Sequence, residues 1–143
     1  MNPYKATIQK YNIPETYFRM SAEILDSQNL ILCCSQIEKD LALVEFLEKI
    51  NQAVFGKKGK PALTVFIESD QNFRLAEWSQ NKIEGAVICF GISAEQLCFQ
   101  GVHELHQLYH WQGIQLIFTE DLSEYFTNAQ KKAKLWSVLQ TIQ

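Results

Sequence analysis

No apolar run in this 143-residue chain approaches the about 20 residues that a membrane-spanning helix requires. Its longest runs, such as Leu30 to Cys34 and Ala86 to Phe90, have the length of buried strands instead. The opening Met1-Asn2-Pro3-Tyr4-Lys5 also lacks the basic start and apolar stretch of a secretion signal, so the cytoplasm is the expected location. Positive charge is not in excess: 13 basic residues face 16 acidic ones, for a net charge of -3 and a pI near 5.6. A protein that grips nucleic acid by itself needs a basic face able to displace condensed counterions, so strong direct DNA binding is not expected. The four cysteines, Cys33, Cys34, Cys89 and Cys98, form no CxxC pair, and three of them sit in apolar runs. They read as small core hydrophobes rather than disulfide partners or metal ligands. No internal repeat or low-complexity tract is present.

What is there suits one folded domain. Apolar residues make up 47% of the chain and charged residues 20%, far from the profile of disorder. At this size roughly 70% of the unfolded chain's surface leaves water on folding, enough for a full core. Residues 1–28 are mixed, with Pro14 interrupting any continuous helix, and suggest a short helix or docking segment followed by a connector. Residues 29–143 alternate between apolar strands and helical periods. Strands are expected at 29–35, 62–68, 85–91 and 114–118. Asp40 is placed to cap a helix whose Leu43, Leu47, Ile50 and Val54 share one stripe, and Gly56 to Pro61 ends it. Asn72 is a candidate cap for a short helix over 73–81. Asp121 to Phe126 reads as a turn of helix, and Thr127 or Asn128 as the cap of a last helix reaching about Thr141. Residues 94–112 leave two readings open, an edge strand at Leu97 to Phe99 and a helical turn or two over Val102 to Trp111. The expectation is a single three-layer α/β/α domain with a mostly parallel sheet of about four strands.

Reactive groups are sparse where such a sheet places its ligand, beyond the carboxyl ends of its strands. No GxGxxG follows a strand, Gly56-Lys57-Lys58-Gly59-Lys60 lacks the spacing of a phosphate loop, and there is no GxSxG. Cys89-Phe90-Gly91 ends the third strand without the aspartate of a phospho-receiver. Glu120, Asp121 and Glu124 cluster at a helix start, where carboxylates partner the helix's positive end. On a helix, His103, His106 and His110 would share one face able to take zinc, with Glu104 or Cys98 the available fourth ligand. The pattern is not HExxH. The face reads better as exposed or partner-facing, and neither metal nor cofactor is expected. Lys131, Lys132 and Lys134 crowd the start of the last helix, where the macrodipole disfavours cations, which marks a solvated face or a secondary basic surface. Trp136 is expected to close the domain by packing on the sheet.

Three stretches together resemble the psi subunits of bacterial DNA polymerase III, accessory proteins of the clamp loader. Ile8-Gln9-Lys10-Tyr11-Asn12-Ile13-Pro14-Glu15-Thr16-Tyr17-Phe18-Arg19 is similar to that family's opening pattern. Val87-Ile88-Cys89-Phe90-Gly91 resembles its central strand. Asp121-Leu122-Ser123, with Asn128 through Leu139, resembles its closing segment, in which Asn, a basic pair and Leu-Trp recur. Arg19-Met20-Ser21 departs from the paired arginines and proline common in the family's first segment. The resemblance implies a non-enzymatic adaptor that docks an N-terminal segment on the clamp loader and pairs with a chi subunit, which in turn contacts single-stranded DNA-binding protein. Read physically, Ile8, Tyr11, Ile13, Tyr17 and Phe18 are large apolar anchors for a partner, and Arg19 can add a charge-assisted bond. The same residues can instead pack on their own domain. The competing function is a small α/β ligand-binding domain or enzyme of unstated substrate.

Overall fold

The computed structural model describes residues 17–101 and 103–143. Five strands form one sheet: β1 (Asn29–Cys34), β2 (Leu63–Ile67), β3 (Gly85–Phe90), β4 (Leu108–Trp111) and β5 (Ile114–Thr119). Their order is β2-β1-β3-β5-β4, with every pairing parallel except β4 against β5. The helices are α1 (Ala22–Asp26), α2 (Leu41–Val54), α3 (Leu75–Ser79), α4 (Leu122–Phe126) and α5 (Ala129–Leu139). The chain is thus an α/β protein. The four parallel strands are those expected from the apolar runs, and the fifth, β4, is an addition at one edge.

Alternation of side chains across the pleat assigns each strand residue to one of two cores. Ile31, Cys33, Ala86, Ile88, Phe90 and Ile117 pack with the buried stripes of α2, α4 and α5. Leu30, Leu32, Val87, Cys89, Leu116 and Phe118 pack with Ile24 of α1 and with Leu75 and Trp78 of α3. Both faces of the parallel strands are covered, which is why they read as unbroken apolar runs rather than alternating ones. Leu43, Leu47 and Ile50 of α2 are buried, as their spacing requires, and Val54 packs at the margin of the same core. Asn128 caps α5 by accepting the Lys131 N–H at 3.0 Å. Among the described residues, no helix is long and apolar enough to cross a membrane.

Four local expectations change. The segment read as a helical turn over 102–111 is extended from Leu108, so His103, His106 and His110 do not share a helical face. The reason is the tight loop Gln112-Gly113. Both residues have positive φ, 51° and 84°, the conformation of a two-residue hairpin loop whose twist matches its strands. A side chain at Gly113 would also run into the Ile83 carbonyl. Leu97 to Phe99 is not a strand either: the Leu97 N–H donates to the Ala94 carbonyl at 3.1 Å within a run of turns. The short helix after Asn72 begins only at Leu75, behind Arg74, because the Asn72 backbone pairs with Tyr17 instead of starting a helix. Trp136 is half-buried and packs beside α2 as well as the sheet-facing core.

Candidate functional site

Helices α2 and α4 both start beyond the carboxyl ends of parallel strands, β1 and β5. In open α/β sheets the free N–H groups of such helix starts receive phosphates and other anions. Here the chain fills those positions itself. The Asp40 carboxylate accepts the Ala42 N–H at 3.1 Å and the Leu43 N–H at 3.3 Å. Asp121 accepts the Ser123 N–H at 3.1 Å and the Ser123 hydroxyl at 2.9 Å. Gly91 sets the position of Asp121: it turns with φ 70° at the end of β3, and a Cβ there would lie 3.3 Å from the Asp121 Cα. The thiols beside this rim are not activated. Burial, reinforced by the Asp121 charge, pushes Cys33 up to about 12. Cys34 is raised by burial and then by Asp121 and Glu68. Both stay protonated, the form that is a poor nucleophile. Cys89 is buried and raised as well, whereas Cys98 is exposed in a turn, not in a strand.

The acidic cluster divides its work. Asp121 caps α4 and Glu124 lies in its first turn, while Glu120 and Glu124 also share a cationic partner. They bind the Lys131 ammonium at 3.0 and 2.8 Å. Hydrogen bonds to Glu124 and Glu120 hold that ammonium protonated beyond the ordinary lysine range. Lys131 is therefore committed within the chain, and the basic surface expected from Lys131, Lys132 and Lys134 is divided. Lys132 lies 5.3 Å over the Phe46 ring, while Lys134 is exposed near His106.

Each histidine has its own surroundings. His110 is exposed on β4. His103 sits among the rings of Tyr109 and Phe118, at 4.9 and 5.2 Å, and its buried Nδ1 has no hydrogen-bond partner. His106 adopts φ 60° and shares a 2.5 Å hydrogen bond between its Nε2 and the hydroxyl of the fully buried Tyr125. The same hydroxyl accepts the Glu120 N–H at 2.8 Å. Sequence reasoning missed this pair because the partners are 19 residues apart and share no periodicity. Among the described residues, no group of three or more His, Cys, Asp or Glu side chains converges as a metal site.

The His106 environment has a consequence for pH. Burial lowers its pKa from 6.5, Lys134 lowers it further, and Glu120 opposes them. A histidine whose folded pKa is depressed favours folding while neutral, so its contribution is complete above about 6.5 and is lost as pH falls toward the folded value. Urea midpoints are expected to fall between pH 7.5 and 5.5, and to fall less in His106→Asn, a substitution that tolerates positive φ. Equal falls in the two proteins would refute this role.

Of the expected partner-binding residues, Ile8, Tyr11 and Ile13 lie outside the described residues. Tyr17 and Phe18 are half-buried on their own domain. Tyr17 bridges Asn72 in parallel, and the Arg74 guanidinium lies 4.2 Å over its ring. The Phe18 N–H donates to the Asn72 carbonyl at 2.7 Å, and its ring meets Phe73 at 5.7 Å. These two residues pack on their own domain, and Arg19 beside them is exposed. No family model, curated protein or solved structure matches this chain.

Proposed function

We propose that this chain is a non-catalytic, psi-like adaptor of the bacterial replicative polymerase, acting in the cytoplasm. On this reading the N-terminal segment within residues 1–28 docks on clamp-loader subunits, and the α/β body pairs with a chi-like subunit that leads to single-stranded DNA-binding protein. One observation supports the binding role over chemistry on phosphates: Asp40 and Asp121 occupy the helix starts where an α/β enzyme would hold its anionic substrate. A second carboxylate or phosphate brought there meets like charge. The replication assignment itself rests on the resemblance at the two ends of the sequence.

On this reading Ile8, Tyr11 and Ile13, which precede Tyr17 and Phe18 in sequence, are docking anchors. Large apolar residues of this kind carry most of the energy in a small interface. A reconstituted bacterial clamp loader and a purified chi subunit should each bind the full chain in size-exclusion chromatography. The variant Ile8→Ala/Tyr11→Ala/Ile13→Ala should lose roughly tenfold or more in clamp-loader affinity, as loss of interface anchors does, while keeping chi. Absence of binding to both assemblies, or unchanged affinity in the triple variant, would overturn the docking assignment.

A further inference from the structure

Positive charge is unevenly placed on this net-negative molecule. The turn at 56–60 carries Lys57, Lys58 and Lys60 with no carboxylate, and helix α5, itself without one, carries Lys132 and Lys134 beside the Lys131 that Glu120 and Glu124 hold. The two segments meet where the C-terminal ends of α2 and α5 lie side by side. A groove of about 310 Å³ runs between them, floored by Val54, Trp136, Leu139 and Ile142 and rimmed by Lys57 and Lys58. Lys132, one helical turn before Trp136, lies outside this lining, with its ammonium over the Phe46 ring. Trp136 is half-buried: it packs on the core and also lines the groove.

We propose that this groove binds an acidic peptide segment of a partner protein, seating one large apolar side chain on Trp136 and its carboxylates on Lys57 and Lys58. Charge and shape select this occupant. The aliphatic floor suits an apolar side chain, and a half-buried tryptophan with a cationic rim has the composition of an interface hot spot. Three carbonyls around the groove, which would repel carboxylates, already have donors. Asn51 O accepts the Phe55 N–H, Trp136 O accepts the Gln140 N–H, and Ile142 O accepts Lys58 Nζ at 3.3 Å. Lys58 keeps further protons for a ligand. A second copy of the chain fits less well, since a two-fold contact would set these lysines against themselves. Single-stranded nucleic acid fits less well too, because the net charge of -3 opposes a polyanion longer than the patch.

The groove's lining includes neither Tyr17 nor Phe18, and its test reads peptide binding rather than clamp-loader binding. Displayed random dodecapeptides panned on the full chain should enrich sequences with Asp or Glu around one Leu, Ile, Phe or Trp. A synthetic peptide of that consensus should shift the Trp136 indole ¹H–¹⁵N signal and leave those of Trp78 and Trp111 in place. Lys57→Glu/Lys58→Glu, on an exposed turn, should weaken the peptide roughly tenfold or more, as charge reversal at a complementary interface does, with an unchanged circular dichroism spectrum. A third arm uses a twenty-residue oligothymidylate. Enrichment without acidic bias, no enrichment at all, affinity unchanged by the lysine reversals, or oligothymidylate binding tighter than the peptide would each overturn the proposal.

Discussion

Trp78→Ala is expected to destabilise the domain by about 3–5 kcal/mol, the cost of deleting a large aromatic side chain from a packed core. Trp78 is 1% exposed and holds one of the two layers together. Its ring closes on the start of β3, where a Cβ on Gly85 would lie 3.3 Å from Trp78 Cη2. Its Nε1 points to Ser27 Oγ at 3.4 Å, and Lys82 Nζ lies 4.7 Å over its face while donating to the Leu25 carbonyl at 2.6 Å. Truncation leaves a cavity and removes the surface over which that ammonium is held. Helix α3 spans only five residues. Helices so short have little stability of their own, so its order derives from this burial. Against a total of about 5–15 kcal/mol, the loss is a large fraction. Urea denaturation measures it, and amide exchange should rise first across Leu75 to Ser79. A loss under about 1 kcal/mol would mean that the layer repacks around the gap.

Asn29→Ala should cost about 2–4 kcal/mol, because it strands two backbone groups that one amide now serves. Asn29 opens β1 and is buried between the two neighbouring strands. Its Oδ1 accepts the Ala86 N–H at 3.0 Å, and its Nδ2 donates to the Lys60 carbonyl at 3.0 Å. The side chain thereby sets the starting register of β1 against β3, where Asn29 faces Ala86. Asn29→Asp keeps the acceptor but replaces the donor with a carboxylate facing a carbonyl, so it should be about as damaging as alanine. Urea midpoints of the three proteins check this, and an aspartate variant as stable as the parent would show that the Lys60 bond contributes nothing.

Trp78 and Asn29 show where sequence alone reaches and where it stops. The doubly covered sheet was legible because Leu30 to Cys33 and Ala86 to Phe90 are too apolar for any strand with a wet face. The starts of α2, α4 and α5 were legible because Asp40, Asp121 and Asn128 are good N-cap residues standing before helical periods. Residues 94–112 were not, because three of the decisive conformations are positive φ at Cys98, His106 and Gln112, which a side-chain pattern does not announce. The Gln112-Gly113 hairpin was the available signal, weaker than Asn-Gly in the same place. Asn29 reads as the polar edge of an apolar run until Ala86 of β3 and Lys60, ahead of β2, are in place. At the candidate site, the residue types at the strand ends were visible in order. Their use was not: Asp121 caps, Glu120 and Glu124 clamp Lys131, and His106 meets Tyr125 only through folding.

The reversed strand β4 also decides how this sheet meets its neighbours in solution. A parallel sheet that ended at β5 would offer six residues of open ladder to any extended chain. Instead that border is four residues long, runs against the other strands, and carries an exposed imidazole at His110. Copies that collide along this border find little template to extend, so the hairpin acts as a terminator that stops growth of the sheet by accretion.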